Sequence, residues 1–426
     1  MREVSFITAE IISKSPLYIG DDDRDILIDK EEGKAYLPAT SIVGSFRAYL
    51  KSIGEDYIKL FGEQNIESSI YVKDAFAEIT KFERRNRVAI DDVAGSQEDK
   101  HKIDEKYLCK GLKFSLTFEI HSKEKHESLD EMIYKCLRAL NKGIIRFGSN
   151  KSNGLGIFEV ISVKNLVFDL GEIDNLTKYL KNDFSGMKEI KDNIFNTVED
   201  KAYITFIING EFTTPLLIGA PKTFKTGDAD RRNIKSGSEY IVPGSSFKGV
   251  LRSRVEKIAK HFDSLDKAKE MFGDTQDEEE KHMLSRVFVN ESIIDNRNFE
   301  DKVHYIRIKI DRFAGGTRST ALTNDIPVKG ETQFKVLYRK KNDDVFDNYA
   351  IGLITLALRD MGTENLPLGG GSNIGRGRFK ARTMEIMIGD KVINIDFDKK
   401  SISDEKKLNY YVAAAKNFMR QEGKDE

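Results

Sequence analysis

The chain has 426 residues, of which 39% are hydrophobic and 33% charged, an ordinary composition for a soluble protein of two or three domains. Lys and Arg number 69 against 70 Asp and Glu, so the formal net charge is -1, and any nucleic-acid-binding surface must be a local patch. The two cysteines, Cys109 and Cys136, lack the spacing of a structural zinc site. With no signal peptide and no apolar run of membrane-spanning length, we expect a cytoplasmic protein without a membrane partner.

The sequence contains two copies of one pattern. Five motifs recur in the same order: SPLYIG (15–20) and TPLLIG (214–219), LPATSIVGSFR (37–47) and VPGSSFKGVLR (242–252), LFGE (60–63) and MFGD (271–274), VAIDDVAG (88–95) and IKIDRFAGG (308–316), RFGSNKSNGLGIF (146–158) and PLGGGSNIGRGRF (367–379). Collinear matches of this number indicate duplication. We therefore predict a first domain at 1–175, a linker region at 176–201, a second domain at 202–400, and a C-terminal helix and tail at 401–426.

The elements of each copy follow one order. An apolar, β-rich run (4–13, 202–212) predicts a first strand, and Ser or Thr then stands at the expected N-cap of a helix. That helix is predicted by apolar residues at helical spacing: Ile42, Phe46, Leu50 and Ile53, then Phe247, Leu251, Val255 and Ile258. Strand-like pieces (68–79, 285–294), a polar insertion, another strand (113–121, 332–339), a second helix (129–142, 346–361), a glycine-rich loop and a last strand complete each copy.

This order, βαββαβ, is the ferredoxin-like plan, which RNA-recognition modules share. We therefore predict an α+β protein with two tandem ferredoxin-like domains, and a final packing helix at 407–421.

The glycine-rich loops combine glycines with cationic residues. Glycine has no Cβ and tolerates positive φ, so main-chain N–H groups and cationic side chains can approach an anion closely. The alternative is a flexible turn. The residues of this predicted phosphate cradle are Gly369, Gly370, Gly371, Gly375, Arg376, Gly377 and Arg378 in the second copy, and Arg146, Gly148, Lys151, Gly154 and Gly156 in the first.

The PGSSxKGxxR stretch (243–252), IDRFAGGT (310–317) and the glycine loop together resemble the RAMP (repeat-associated mysterious protein) superfamily, in particular backbone subunits of type III CRISPR complexes. The resemblance covers nearly the whole chain except the linker and the tail, and it implies two units fused in tandem. It further implies that the protein binds guide RNA (crRNA) along its backbone, pairs it with target RNA, and assembles with other subunits of the complex. A β-hairpin thumb would interrupt the duplex in this family, and the polar insertions 80–107 and 295–330 are the thumb candidates.

The resemblance also implies a catalytic aspartate before the first helix, and Asp29, nine residues before Pro38, has the family's spacing. One carboxylate could anchor a loosely bound, hydrated Mg²⁺ or another divalent cation, or accept the proton of the attacking 2′-OH. The alternative is that Asp29 is a turn residue facing water. In the second copy Asn233 aligns with Asp29 across a one-residue gap, which puts cleavage there in doubt, although Asp228 and Asp230 lie nearby.

The remaining candidate RNA contacts are hydroxyl or basic side chains near these motifs. In the stretch 243–252, here called the helix-start motif, the serine hydroxyls, main-chain N–H groups and the lysine could contact one RNA phosphate; the alternative for the serines is helix capping. In the thumb candidates the arginines could contact RNA; the alternative is an exposed charged hairpin. The candidates are Ser245, Ser246, Lys248, Arg252 and, in the first copy, Arg47; Arg231 and Arg232 in the loop 227–243, here called the basic loop; and Arg84, Arg85, Arg312 and Arg318 in the insertions.

Two other functions compete with a guide-binding nuclease. The first is a non-catalytic RNA-binding scaffold. The second is a guide-processing ribonuclease, whose relatives often carry a histidine on an early helix. None of the six histidines here lies in the first hundred residues, so this hypothesis ranks third.

Overall fold

The computed structural model describes residues 3–20, 25–90, 97–122, 127–190, 201–221, 229–273, 283–297 and 304–422. The chain divides into two compact units. Unit one comprises Met1–Glu83, Lys106–Lys151 and Leu155–Ala202, and unit two comprises Arg84–Glu105, Ser152–Gly154 and Tyr203–Glu426. No helix in the described ranges is both long enough and apolar enough to cross a membrane.

The first elements, in chain order, are β1 (Glu3–Ser13), β2 (Ala35–Leu37), α1 (Ala39–Ser52), α2 (Ile58–Phe61), β3 (Ile70–Val72), β4 (Ala75–Ala77), β5 (Phe82–Ile90), β6 (Gln97–Leu108), β7 (Lys113–Ser122), α3 (Glu127–Asn141), β8 (Phe158–Asp169), α4 (Ile173–Leu180) and β9 (Lys188–Glu189). The main sheet of unit one has the order β3-β7-β1-β8-β9, and all of its neighbouring strands are antiparallel. The strands β5 and β6 pair as a separate two-stranded sheet that covers most of the predicted insertion 80–107 and ends one residue beyond it.

The core of unit one lies between this sheet and α1 and α3. Ile42, Phe46 and Leu50 of α1 are fully buried, as their spacing of four residues predicted. Ile53 is half-buried at the C-cap, where α1 ends.

The predicted Ser or Thr N-caps of the first helices are wrong. Proline occupies both positions, Pro38 before α1 and Pro243 before the corresponding helix of the second copy, with extended ψ values of 141° and 139° and no side-chain cap hydrogen bond. Proline disfavours helical geometry at the residue before it and fixes φ near the value with which a helix begins, so each helix starts directly after its proline.

The elements of the second copy follow: β10 (Tyr203–Phe212), β11 (Arg231–Arg232), β12 (Lys235–Ser236), β13 (Glu239–Val242), α5 (Gly244–His261), α6 (Leu265–Phe272), β14 (Val287–Val289), β15 (Ser292–Asp295), β16 (Tyr305–Ile310), β17 (Thr317–Ile326), β18 (Glu331–Arg339), α7 (Asp344–Gly362), β19 (Phe379–Ile388), β20 (Lys391–Asp396), β21 (Ser401–Ile402) and α8 (Glu405–Glu422). The main sheet has the order β12-β13-β15-β18-β10-β19-β20-β21, with β14 also on β18. A separate sheet has the order β11-β17-β16.

The core of unit two lies against α5 and α7. Phe247, Leu251 and Val255 of α5 are buried, and Ile258 packs against them from a half-buried position. The last helix, α8, covers α7 so closely that a Cβ at Gly352 would lie 2.2 Å from the Tyr411 carbonyl oxygen. The predicted C-terminal helix is therefore an integral part of this core.

Candidate functional site

Three arginines of unit two converge on one buried carboxylate. Arg231 donates to Asp325 from Nε to Oδ1 at 2.7 Å and from Nη2 to Oδ2 at 2.9 Å. Arg307 Nη2 and Arg376 Nη1 both donate to Oδ2, at 2.5 Å and 2.9 Å. Asp325 is fully buried, so this network gives it the charge-assisted partners that a buried carboxylate requires.

The backbone brings these four residues together from three distant parts of the sequence. The strands β11 and β17 are parallel, and Arg231 is the register partner of Asp325. Arg307 reaches the same carboxylate from β16, which pairs antiparallel with β17. Arg376 comes from the glycine-rich loop, and its guanidinium lies 5.0 Å from the ring centre of Tyr305.

The arginines border a cavity of about 490 Å³. The lining residues are Arg231, Arg307, Ile308, Thr323, Gly371, Asn373, Ile374 and Arg376. Strands β16 and β17 line one part of the cavity, and the glycine-rich loop lines another part. The cavity is therefore a concave site with cationic, polar and apolar groups, which we call the arginine cavity.

The electrostatics of the arginine cavity favour an anion. Burial by itself raises the pKa of the Asp325 carboxyl, but hydrogen bonds from Arg231 and Arg376 outweigh it and hold that pKa below its ordinary value. One carboxylate balances only one of the three guanidinium charges, so the cluster keeps an excess of two positive charges. The Nε atom of Arg307 is also buried and has no hydrogen-bond partner among the described residues.

The glycine-rich loop of the second copy is fixed by main-chain hydrogen bonds. Gly370 N donates to Leu217 O at 2.7 Å, Gly377 N to Pro215 O at 3.0 Å, and Leu368 N to Gly377 O at 2.9 Å. The loop thus lies on the TPLLIG segment. A Cβ at Gly377 would be 1.8 Å from the Leu368 carbonyl oxygen, so this approach requires glycine.

These contacts change the predicted role of the loop amides. Gly375 N donates to Ser372 O at 3.1 Å, and Arg376 N donates to Gly371 O at 3.2 Å, so these N–H groups, like those of Gly370 and Gly377, are used within the protein. The residues of the loop that line the arginine cavity are Gly371, Asn373, Ile374 and Arg376. The prediction that the amides of these glycines cradle a phosphate therefore does not agree with the hydrogen bonds that they make.

The first copy has the same framework. Ser149 N donates to Tyr18 O at 2.7 Å, Gly156 N to Pro16 O at 3.0 Å, and Phe147 N to Gly156 O at 3.0 Å. Each donor matches one of the second copy at the same offset along the sequence, the offset that joins Gly156 to Gly377. By this register Leu155 occupies the position of Arg376, so the first copy has no equivalent of that guanidinium.

The cationic residues beside the loops have protein partners. Arg146 is buried and donates to the main-chain carbonyl of Lys151 at 2.6 Å. Lys151 Nζ lies 3.3 Å from Ser45 Oγ, and burial lowers the pKa of its ammonium. Arg378 is exposed and donates to the Glu364 carbonyl at 2.8 Å. Arg146 is thereby a support for its loop rather than an accessible phosphate ligand.

Asp29 closes a turn. Its Oδ1 atom accepts hydrogen bonds from the N–H groups of Glu31 at 2.8 Å and Glu32 at 2.7 Å, and its main-chain N donates to Lys34 O at 2.9 Å. Asp29 is half-buried, and its Oδ2 atom has no hydrogen-bond partner among the described residues. Oδ1 therefore has the role of a turn residue, whereas Oδ2 could still contact a ligand.

Within the described ranges no group of three or more His, Cys, Asp and Glu side chains is arranged to hold a metal ion. Among the described residues, the Oδ2 atom of Asp29 could serve as one ligand of a divalent cation. Mg²⁺ in nucleic-acid enzymes usually keeps water and shares its shell with substrate phosphates. The loosely bound cation at Asp29 stays a prediction.

The structure corrects the residue that corresponds to Asp29 in the second copy. Asn233 makes the bridge to Gly219 that Ile26 makes to Gly20, so Asn233 corresponds to Ile26. Counting on from these bridges, Asp29 corresponds to Ser236. The turn that follows is shorter in the second copy, which is why a sequence gap misplaced the match.

The other residues of the basic loop lie next to this turn. Asn233 is buried, and its Oδ1 atom accepts from Ile218 N at 2.7 Å. Asp230 is exposed and accepts from Asn324 N at 2.6 Å, and Arg232 is exposed. Asp228 lies outside the described residues. The predicted substitution of Asp228 or Asp230 for a catalytic aspartate stays a prediction.

The helix-start residues of the second copy differ in burial. Lys248 is buried, and its Nζ atom donates to Ser285 Oγ at 2.9 Å. Ser245 and Ser246 are half-buried in the first turn of α5. The interior position of Lys248 differs from the predicted phosphate contact, because its ammonium already has an internal acceptor.

Two further helical arginines are partly exposed. Arg252 donates to Glu256 at 2.7 Å along α5. In the first copy the Arg47 guanidinium lies 5.0 Å from the ring centre of Tyr57. Both side chains keep about 40% of their surface accessible, so they remain candidates for RNA contact.

The predicted thumb arginines differ in exposure. Arg84 on β5 is exposed, whereas Arg85 is buried and forms an ion pair with Glu291. Arg312 is exposed in the turn between β16 and β17. The side chain of Arg318 lies outside the described residues.

Asp325 and Arg307 are not among the site residues predicted from the sequence. Asp325 lies in a β-rich run just before Pro327. Because aspartate is uncommon in strands, its presence there is the one feature that could have indicated a special role. Arg307 lies in YIRIKI, whose alternation indicates a strand but not a site.

Comparison with known proteins assigns the chain to a family. No curated protein matches the sequence. One similar solved structure is a "Cryo-EM structure of the Type III-B Cmr-beta bound to cognate target RNA", with 15% sequence identity and a TM-score of 0.32; the match covers 38% of this chain and 61% of that one, less than two thirds of its length. The family model described as the RAMP superfamily matches residues 10–159 and 210–380. These two stretches take up well over half of the sequence, and the protein therefore belongs to the RAMP superfamily.

Proposed function

We propose that this protein is an RNA-binding backbone subunit of a type III CRISPR effector complex, which holds guide RNA and its duplex with target RNA next to other subunits. Membership of the RAMP superfamily supports the assignment to this class. The observation that carries RNA binding is the arginine cavity, where Arg231, Arg307 and Arg376 surround a single carboxylate.

The chemistry of the arginine cavity suits a nucleic-acid backbone. Guanidinium groups present several N–H donors in a planar fork that matches phosphate oxygens. The chain has a net charge of -1, so a local excess of positive charge is what an RNA-binding surface on this protein would need. The exposed Arg232 and Arg312 would add to the attraction at longer range.

We further propose that both units are elaborated ferredoxin-like domains. In unit one the order of β1, α1, β3, β7, α3 and β8, with the sheet order β3-β7-β1-β8, supports this proposal. In unit two β10, α5, β15, β18, α7 and β19 follow the same plan, with the sheet order β15-β18-β10-β19. The βαββαβ arrangement has this strand connectivity.

Cleavage of target RNA at Asp29 is the catalytic part of the proposal. The Oδ2 atom would hold a hydrated Mg²⁺ or accept the proton of the attacking 2′-OH. When bound, such an ion supplies charge neutralisation at the scissile phosphate. The scaffold alternative is supported by the two amide N–H groups that engage Oδ1, because they already give Asp29 a structural role.

The decisive experiment uses the assembled, guide-loaded complex with Mg²⁺ and a labelled complementary RNA. Wild type, Asp29→Asn and Arg307→Gln are compared for binding and cleavage. We expect Arg307→Gln to weaken RNA retention, and Asp29→Asn to bind target RNA normally but to lose a cut. If Arg307→Gln and Arg231→Gln, tested separately, both retain RNA as well as the wild type does, the proposed binding site is wrong. If Asp29→Asn cleaves target RNA as well as the wild type does, the non-catalytic scaffold is the better description of this protein.

A further inference from the structure

The arginine cavity carries more positive charge than one phosphodiester provides in negative charge. A diester within an RNA strand bears one negative charge, whereas a terminal phosphomonoester bears about 1.5 to 2 at neutral pH. We propose that the arginine cavity binds a phosphomonoester, at the end of an RNA strand or on a free nucleotide, in preference to an internal diester. The inference rests on the proposed RNA-binding function and specifies the ligand of that site.

The charge balance is the first support. Arg231, Arg307 and Arg376 contribute three positive charges, and Asp325 removes one because it stays ionised. The remaining excess of two matches a dianion. In a partly enclosed site an uncompensated charge costs more than it would in water, so a match in charge number affects affinity.

The donor balance is the second support. Asp325 accepts four of the N–H bonds that the three guanidinium groups offer. A guanidinium has five N–H donors and no acceptor, so the cavity wall is rich in donors. The three oxygens of a terminal phosphate would supply acceptors for N–H groups of these cavity-lining guanidiniums that do not bond to Asp325.

The size and the walls of the arginine cavity are the third support. Its volume of about 490 Å³ exceeds what a phosphate alone requires and is typical of sites for small organic ligands. Ile308 and Ile374 line it, and 54% and 52% of their surfaces remain exposed. These apolar groups could pack against a sugar or base, while Thr323 and Asn373 could hydrogen-bond to its edge. The arrangement therefore fits a nucleotide bearing its own phosphate.

The two phosphate classes differ in their response to pH. The dianion of a phosphomonoester takes up one proton with a pKa of about 6 and becomes a monoanion, whereas a diester stays singly charged throughout. The preference for a terminal phosphate should therefore be largest above pH 7 and should fade as the pH drops below about 6. Arginine stays charged throughout this range, so the protein side of the interaction does not titrate.

The test uses the full-length protein and fluorescently labelled single-stranded RNAs of one sequence that carry 5′-phosphate, 5′-hydroxyl, 3′-phosphate or 3′-hydroxyl ends. At pH 7.5 we expect one phosphorylated end to bind about tenfold more tightly than its hydroxyl counterpart, a difference of about 1.4 kcal/mol. At pH 5.5 the ratio should fall toward one. Competition with AMP and with adenosine tells the two sources apart, because only a site that accepts a free nucleotide is emptied by AMP.

The variants decide whether the arginine cavity is responsible. Arg307→Gln and Arg231→Gln should each abolish the preference. Arg382→Gln is the matched control, since that guanidinium pairs with Glu211 and Glu331 on the main sheet and does not line the cavity. Equal affinity for both kinds of end, with RNA binding still sensitive to Arg307→Gln, would overturn this inference and leave the proposed function standing. Insensitivity of all RNA binding to both cavity variants would overturn both.

Discussion

Asp325 and Arg231 form a two-point ion pair between parallel neighbouring strands, Nε to Oδ1 at 2.7 Å and Nη2 to Oδ2 at 2.9 Å. The bidentate geometry fixes the plane of the Arg231 guanidinium. Arg307 and Arg376 then share the Oδ2 atom, so one carboxylate orients three cationic side chains. Asp325 acts as a positioning residue, because it sets the arginines that would meet a ligand.

Replacing that carboxylate should destabilise unit two. In Asp325→Asn three guanidinium groups lose their common counter-ion in a buried position. Breaking a buried ion pair from one side costs about 3 to 5 kcal/mol, and the partial exposure of Arg231 and Arg307 favours the lower figure. Urea unfolding measures the change in the free energy of unfolding. The exposed Asp230→Asn is the control, for which we expect less than about 1 kcal/mol.

The same carboxylate gives stability a pH dependence in the acid range. Arginine hydrogen bonds hold the pKa of folded Asp325 below its value in the unfolded chain, about 3.9. The unfolded chain therefore binds the proton more readily, so the stabilisation is complete above about pH 4 and is lost as pH falls through the folded pKa. The stability difference between wild type and Asp325→Asn should be constant from pH 7 to about 5 and shrink below about 4. A difference that grew on acidification would contradict the assignment.

Substitutions at two glycines of the second glycine-rich loop distinguish the cost of a steric clash from the cost of a left-handed backbone. Gly377 and Gly375 both have positive φ, 72° and 83°. A Cβ at Gly377 would lie 1.8 Å from the Leu368 carbonyl oxygen, while a Cβ at Gly375 meets nothing within 4 Å. We expect Gly375→Ala to cost about 1 to 2 kcal/mol from the left-handed backbone alone, and Gly377→Ala to cost clearly more. Thermal unfolding of both variants checks this; equal losses would mean that the loop can move away from the clash.

Asp29 allows its structural and chemical roles to be separated. Asp29→Asn keeps a carbonyl oxygen that can accept the N–H groups of Glu31 and Glu32 but removes the charge. Asp29→Ala removes both, and by analogy with helix caps it should cost about 1 kcal/mol. If Asp29 is catalytic, both variants lose target-RNA cleavage in the guide-loaded complex. If it only closes the turn, Asp29→Asn cleaves like wild type.

Lys248 and Arg232 should respond differently to salt. Lys248 is buried on Ser285, so Lys248→Met should change stability and leave the salt dependence of RNA binding unaltered. Arg232 is exposed, and if it contacts a phosphate, Arg232→Gln should reduce the slope of log K against log salt by about 0.7 to 0.9. Binding titrations between about 50 and 200 mM salt measure the slopes. A reduced slope for Lys248→Met would restore the phosphate contact that its sequence motif predicted.

The elements of this fold were accessible from the sequence because their signals are local. Ile42, Phe46 and Leu50 mark the buried face of α1 by spacing alone, and the same holds for Phe247 and Leu251 of α5. The N-caps were misjudged because a serine or threonine signal competed with a proline that starts the helix more directly. Asn233 was mismatched because hydrogen bonds, and not residue identity, define the register of a loop that changed length.

Only about half of the residues of the arginine cluster can be predicted from the sequence. Arg231 and Arg376 were candidates, because basic residues beside glycines are a recognisable pattern. Asp325 and Arg307 were not, since strand pairing brings them to the site from separate segments and no spacing records that pairing. Lys248 shows the converse case: a basic residue in a strong motif is buried by a contact that the motif does not contain, and its predicted phosphate contact stays a prediction.

The matched hydrogen bonds of the two glycine-rich loops have a consequence for how the copies diverged. The bonds at Gly156 and Gly377 hold both loops in one frame, while the residue just before each glycine differs between the copies. One copy carries Leu155 there and the other carries Arg376. A duplicated gene could thus acquire a ligand site in one half by a side-chain exchange, with the inherited backbone left intact in both halves.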